Sequence, residues 1–414
     1  MKLKNVLLIL FLQHFFLVAQ VTRNYNVILR GNASSTSQLH TTLWDGNLLP
    51  IWGMAPTLSA VPTVPAKILY ANEGDTVIIN ARSVAQGQHH TIHLHGLDVD
   101  TRNDGDPMTS FVLNHMQDTT YTFYAKHAGT YMYHCHVASV VHIQMGMYGL
   151  IVVKAAGGAK TAWTGGPAFD KDYKWLLSEV DKSWHDSIPP HDSAGHVSNV
   201  PNYVADYFWV NGKSKQQIAS DDSTKITGAV AQKIFMRIGG IGFYSNQIIF
   251  PTSLNAVIID SDGRPLPNLI TSDTLNIMPG ERYGVMLTPS SQIVDSVIVN
   301  YINMNTGVIC GTEYVPVTIS GFIGLNEFKN DFFAEAFPNP VADLLTVKWN
   351  QGEVKSLEVY NALGQKNSST GINNYTIQNN MLELNVSQLA NGIYFLQLIN
   401  NRGDKSTLKF NVYK

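Results

Sequence analysis

Cysteine is nearly absent. The 414 residues contain two, Cys135 and Cys310, too few for the disulfide framework of a small secreted scaffold. Charge is thin as well: Asp, Glu, Lys and Arg make up 14% of the chain and the formal net charge is −3. No basic run occurs, so electrostatics give no reason to expect nucleic acid or an anionic membrane as a partner. Helical periodicity is scarce, and beyond the N-terminus no apolar stretch is long enough to cross a bilayer. What remains is a globular composition, 44% hydrophobic, at a length that suits two or three domains.

Lys2 and Lys4 precede a mostly apolar run from Val6 to Val18, closed by the small Ala19. That order is the signature of a secretory signal peptide over residues 1–20, with cleavage near Ala19 or Gln20. A membrane span is the alternative, but the run is short and interrupted by Gln13 and His14.

Short runs rich in Val, Ile, Tyr, Phe and Thr recur between clusters of Gly, Asn, Asp and Pro, which predicts an all-β chain of stacked sandwiches. Lys67 to Tyr70, Thr76 to Asn80, Thr120 to Tyr124, Leu150 to Lys154 and Val297 to Ile302 are examples. Composition shifts divide the mature chain into units at residues 21–160, 165–323 and 336–414, with a Gly/Ala-rich linker from Ala155 to Gly166 and a second connection from Gly324 to Glu335.

Nine of the 14 histidines fall between His89 and His142. One cluster is His90-Thr91-Ile92-His93-Leu94-His95-Gly96; the other is His134-Cys135-His136, followed by His142 and then Met147. A blue-copper centre requires one thiolate, two imidazoles and a weak axial thioether, and Cys135, His90, His142 and Met147 supply that set. Met145 competes for the axial place. Strand parity separates a second set, because successive side chains point to opposite faces. His93 shares a face with His95, and His134 with His136, while Cys135 points away from its neighbours. The four remaining imidazoles therefore suit a metal of their own. A disulfide between the two cysteines is the less favoured reading, with Cys310 left as a buried spare thiol. His89, His115 and His127 read as surface or supporting residues. Met108 and Met116 read as packing residues, with Cu(I) delivery the alternative. Asp98, Asp100, Asp104 and Asp106 read as a solvated loop.

Here a family resemblance becomes plain. The segments HHTIHLHG, GTYMYHCH and HIQMGMYG resemble the copper-binding segments of multicopper oxidases. The resemblance implies two cupredoxin-like Greek-key β-sandwich domains, with His90, Cys135, His142 and Met147 as type 1 ligands. It implies that His93 matches the type 2 position, and His95, His134 and His136 type 3 positions. The loop from Cys135 to His142 is slightly longer than in typical laccases. In copper nitrite reductases the position of His93 is an Asp and that of His136 is not a His, which argues against nitrite reduction. Tyr207 to Lys213, Val257 to Gly263 and Pro279 to Tyr283 are similar to the family's copper-free middle domain, which here holds only His185, His191 and His196.

The last unit resembles the sorting domain of the type IX secretion system of Bacteroidetes through Phe337-Pro338-Asn339-Pro340, Ser356 to Gln365 and Leu389 to Phe395. It implies a small immunoglobulin-like β-sandwich, the type IX machinery as a partner, and passage through the periplasm to the cell surface or medium.

Together these imply a secreted copper oxidoreductase that takes single electrons from a small-molecule or metal-ion donor and reduces dioxygen. The family's trinuclear cluster uses eight histidines, of which one chain offers four. A homo-oligomer would complete it across an isologous interface. The alternative is an electron-transfer or copper-binding cupredoxin without oxygen chemistry; a copper-free adhesive sandwich fits the ligand set poorly.

Overall fold

The computed structural model describes residues 21–31, 39–84, 89–187, 202–321, 332, 334–350, 352–367 and 375–414. The signal segment, His191, His196 and most of the 324–335 connection lie outside the described residues. Two compact units result, Met1–Phe322 and Ile323–Lys414.

In the first unit the strands are β1 (Thr22–Arg30), β2 (His40–Thr42), β3 (Leu48–Pro50), β4 (Gly53–Ala55), β5 (Ala66–Asn72), β6 (Thr76–Ser83), β7 (His93–His95), β8 (Asp118–Tyr124), β9 (Gly129–His134) and β10 (Tyr148–Lys154), with helix α1 (Ser139–Gln144) before β10. They form two four-stranded sheets, ordered β4-β1-β6-β8 and β5-β10-β9-β7, plus the β2–β3 hairpin. Alternation decides the faces: Val77, Ile79 and Ala81 of β6 point inward beside Tyr121 and Phe123 of β8. These side chains share one core with Cys135, Met145 and Met147, each large aliphatic burial contributing roughly 1.5–3 kcal/mol.

A second sandwich follows. Its strands are β11 (Lys171–Val180), β12 (Tyr207–Val210), β13 (Ile226–Ala229), β14 (Ile234–Gly240), β15 (Ser245–Ile249), β16 (Val257–Ser261), β17 (Arg264–Thr271), β18 (Thr274–Ile277), β19 (Arg282–Leu287), β20 (Ile293–Ile302) and β21 (Ile309–Ser320). They pair as β12-β11-β14-β19-β16-β17 and β13-β21-β20-β15-β18 over a separate core. The two sandwiches are fused rather than strung: Met132 and Leu150 pack on Leu176 and Ile241, and the Tyr148 hydroxyl donates to Ser178 Oγ at 2.9 Å. The segment expected as a linker packs on the second sandwich: Ala162 is buried, and Trp163 packs with it on Phe235, Ile259 and Met286.

The second unit, by itself, pairs strands Ala334–Phe337, Leu344–Trp349, Met381–Asn385 and Tyr375–Gln378 in one sheet and Val354–Asn361, Gly392–Asn400 and Lys405–Val412 in another around Leu345, Val347, Leu384, Leu396 and Phe410. Asn361 Oδ1 accepts the N–H groups of Leu363 and Gln365, each at 3.0 Å, closing a turn after Val354–Asn361.

One expectation is corrected. Both cysteines are free thiols, but Cys310 is exposed, not buried. It stands at the start of β21, beside the register shift where Ile302 pairs with Ile309, and the buried alternation of that strand begins only at Glu313.

Candidate metal centre

Cys135 follows directly on β9, and its N–H donates to the Met147 carbonyl at 3.0 Å. The chain between these two residues makes α1 and returns. His142 lies on that helix, its ring packed edge-on against Trp52 with centroids 5.1 Å apart. His90 enters from outside the main strands, held by a two-way bridge to Leu113 with N–H···O distances of 3.0 and 2.8 Å. The next turn is fixed by the Ile92 N–H, which donates to the buried Tyr121 hydroxyl at 3.0 Å. The result converges on sulfur. Cys135 Sγ is 3.0 Å from His142 Nδ1 and 3.5 Å from His90 Nδ1.

All three residues are buried, and their donor atoms lie within 4.8 Å of one another. Burial pushes the Cys135 thiol up to about 11 and holds the His90 imidazole well below its usual range, so His90 stays neutral with a lone pair to offer. Met145 and Met147 are both buried. The Met145 carbonyl accepts the Trp52 N–H at 2.8 Å, while the Met147 N–H donates to the His142 carbonyl at 3.0 Å.

The opposite face gathers the other imidazoles. β7 pairs antiparallel with β9, placing His93 directly across from His134. Ring centroids of His93 lie 5.5, 5.2 and 4.9 Å from those of His95, His134 and His136. Donor atoms of His93, His95 and His134 fall within 4.8 Å of one another; His136 stands beside them, 5.8 Å from His134 by centroid. Main-chain carbonyls orient two rings, since His93 Nδ1 is 2.8 Å from the Asp104 oxygen and His134 Nδ1 is 3.0 Å from the Cys135 oxygen. A carbonyl only accepts, so each Nδ1 carries its proton and each Nε2 is left free to ligate. Desolvation lowers His134 to about 3 and His95 to about 4, again keeping both neutral. The His136 N–H donates to Thr91 Oγ1 at 3.1 Å, and its Nδ1 is 3.9 Å from an Asp106 carboxylate oxygen.

All eight residues singled out by spacing thus lie in or beside two adjacent groups separated by the parity of β9. His89, His115 and His127 are exposed, His127 beside Asp98 at 3.4 Å. His185 is buried in the second sandwich with Nδ1 on the Pro50 carbonyl. Spacing missed Arg282 and Gly280, which meet His95 from the second sandwich. Their segment is similar to the family's copper-free middle domain, and nothing local in it signals a neighbour some 185 residues upstream in the chain.

Comparison with known proteins accords with this geometry. Residues 55–157 match the multicopper oxidase family model, and residues 335–412 match the secretion system C-terminal sorting domain. A copper-containing nitrite reductase of Neisseria gonorrhoeae is 28% identical over 188 residues, 44% of this chain and 44% of its own. Copper resistance protein A of Escherichia coli is 33% identical over 127 residues, 30% of this chain and 19% of its own. The chain thus spans less than half the length of these curated relatives. A blue copper oxidase from Nitrosomonas europaea superposes with a TM-score of 0.56 at 26% identity, covering 72% of this chain and 86% of that one.

Residues 55–157 are therefore a domain similar to those of multicopper oxidases. At its C-terminus the chain carries a type IX sorting domain, which directs it to the cell surface or the extracellular space. Copper is the cofactor of the matched family, and both imidazole groups have the donors for it. The first is the soft thiolate–imidazole set that selects copper, and the second an all-nitrogen set.

Proposed function

We propose that this protein is a laccase-like oxidase that passes single electrons from a reductant through the Cys135 site to dioxygen at the neighbouring histidine group. One observation carries the reading. Cys135, whose sulfur faces two imidazoles, is bonded in sequence to His134 and His136, which face the other group. His90, Cys135 and His142 would hold a type 1 copper with Met147 as a weak thioether ligand, and His93, His95, His134 and His136 would hold the oxygen-reducing copper. Bound copper supplies reversible one-electron chemistry at both places. The protein supplies the route. From Sγ it runs through the Cys135 main chain into His134, shortened by the contact of His134 Nδ1 with the Cys135 carbonyl at 3.0 Å. Burial excludes water from the sulfur, and α1 holds His142 against Trp52, so the ligands stay in place between redox states.

One chain offers four of the eight histidines of a trinuclear cluster, and a second copy would complete the set. His93, His95 and His136 are all partly exposed, but His95 faces the second sandwich, so the partner copy would approach from the side of His93 and His136, past Asp104 and Asp106. The test is copper-loaded full chain supplied with a phenolic or metal-ion reductant. Oxygen uptake, a type 2 resonance and more than one copper per chain are expected. About one copper per chain, with no type 2 resonance and no uptake, would refute the proposal.

A second reading is electron transfer without oxygen chemistry. It is favoured by the compact three-imidazole group formed without any partner. Reduction of the blue site by a donor with no consumption of oxygen would establish it, and nitrite consumption in place of oxygen would align the chain with the nitrite reductases instead.

A further inference from the structure

His93 and His134 are oriented by carbonyls of their own sandwich, but His95 is not. Its Nδ1 lies 3.3 Å from His134 Nε2, inside the group, and its other edge faces the second sandwich. There the ring lies against the Gly280 main chain. The Gly280 N–H is already given to the Gly240 carbonyl at 2.8 Å, so the carbonyl oxygen is the group left to face the imidazole. A Cβ on Gly280 would stand 3.4 Å from His95 Cε1 and 3.6 Å from Nε2, which identifies Nε2 as the nitrogen on that side. The same carbonyl accepts Arg282 Nη1 at 2.6 Å.

Arg282 is buried and reaches across the domain junction. Its Nε points to the Thr130 carbonyl of β9 at 3.4 Å, and Nη1 pairs with Asp262 at 3.0 Å. The first sandwich leaves room for it: Gly96, next to His95, has φ +86°, and a Cβ there would lie 2.0 Å from Arg282 Nη2. A side chain at position 96 and a guanidinium at this point exclude each other.

We propose that Arg282 is a positioning residue of the histidine group: by clamping the Gly280 carbonyl it turns His95 Nε2 toward the second sandwich and commits Nδ1 to the metal. His95 then ligates through the opposite nitrogen from His93 and His134. The copper-free domain becomes a working wall of the site, closing the His95 side and leaving the His93 and His136 side open. This rests on the proposal that the histidine group binds copper. Loss of a carbonyl or carboxylate partner of a ligating His costs about 10–100-fold in metal affinity.

The experiment compares full-length wild type with Arg282→Met and Arg282→Lys, reading copper bound per chain beyond the blue site, by metal titration, against blue absorption. Arg282→Met is expected to lose at least about tenfold in affinity for the histidine-group copper at unchanged blue absorption. Arg282→Lys, which keeps one donor for Gly280, should fall between. Unchanged affinity for that copper in Arg282→Met overturns the clamp. A wild type that never takes up this copper overturns the functional reading instead. Should the variants not fold, nitrogen NMR of wild type loaded with diamagnetic Cu(I) decides. A proton on His95 Nε2, against Nδ1 for His93 and His134, supports the clamp, and a proton on His95 Nδ1 overturns it.

Discussion

Nδ1 of His142 stands 3.0 Å from Sγ of Cys135, seven residues earlier, because the chain between them turns into α1 and brings the imidazole back over the sulfur. A hard hydroxyl in place of that soft sulfur removes the donor that selects copper here. Cys135→Ser is expected to abolish the intense visible absorption of the copper-loaded protein while leaving the histidine-group copper bound. The visible spectrum beside a copper count per chain checks this, and surviving blue colour would refute the assignment of Cys135.

Gly146 makes the return from α1 possible. Its φ is +111°, and a Cβ would sit 2.4 Å from Val64 Cγ2 and 2.9 Å from the Trp52 carbonyl oxygen. Gly146→Ala should cost about 1–3 kcal/mol from backbone strain alone, a fall in Tm of roughly 2–10 °C for a domain of this size. It should also shift the blue band, because Met145 and Met147 flank the displaced residue. Calorimetry and the visible spectrum read the two effects separately; an unchanged Tm would contradict the crowding around Gly146.

The grouping of the candidate side chains was legible because parity is a local rule. His93, His95 and His134 fall on one side of the β7–β9 pair and Cys135 on the other, as alternation along a strand requires. Other features were hidden because they depend on distant chain. No residue near His95 indicates that Arg282 and Gly280 will close on it, nor does any residue near Gly96 show why a side chain there is excluded. The exposure of Cys310 follows from a register shift at the end of the β20–β21 pair, which composition does not encode. The helix carrying His142 is six residues long, too short for periodicity to reveal.

The carboxyl of Glu179 is buried where the two sandwiches meet. Burial pushes it up to about 7 from the ordinary 4.5, against the donors Phe243 N–H, Tyr244 N–H and Tyr203 hydroxyl that pull it down. An acid raised on folding contributes stability that is intact below the unfolded value and lost as pH rises through the folded one. Between pH 4.5 and 7 this amounts to about 3 kcal/mol. Asp260, raised to about 6 by burial, acts with the same sign, so the contrast with a variant isolates Glu179. Glu179→Gln keeps an acceptor for both N–H groups and should be the more stable protein at pH 7 and above, with the gain vanishing near pH 4.5. Denaturant unfolding at several pH values measures it, and parallel curves for the two proteins would contradict the burial argument.

His134 belongs to the histidine group yet adjoins Cys135, the proposed blue-site ligand, so its replacement separates the two halves of the proposed reaction. His134→Gln leaves Cys135, His90 and His142 in place, and the Cys135 N–H still bonds Met147. The variant should keep its blue colour and still be bleached by a reductant. Return of colour in air should slow at least about 100-fold, the upper end of what losing a mere supporting partner costs, because the electron has lost both a ligand and the contact with the Cys135 carbonyl. Rapid-mixing absorbance of the reduced protein against aerated buffer gives both rates in one experiment. Reoxidation at the wild-type rate would mean that oxygen is reduced elsewhere and that the adjacency of Cys135 and His134 is not the route.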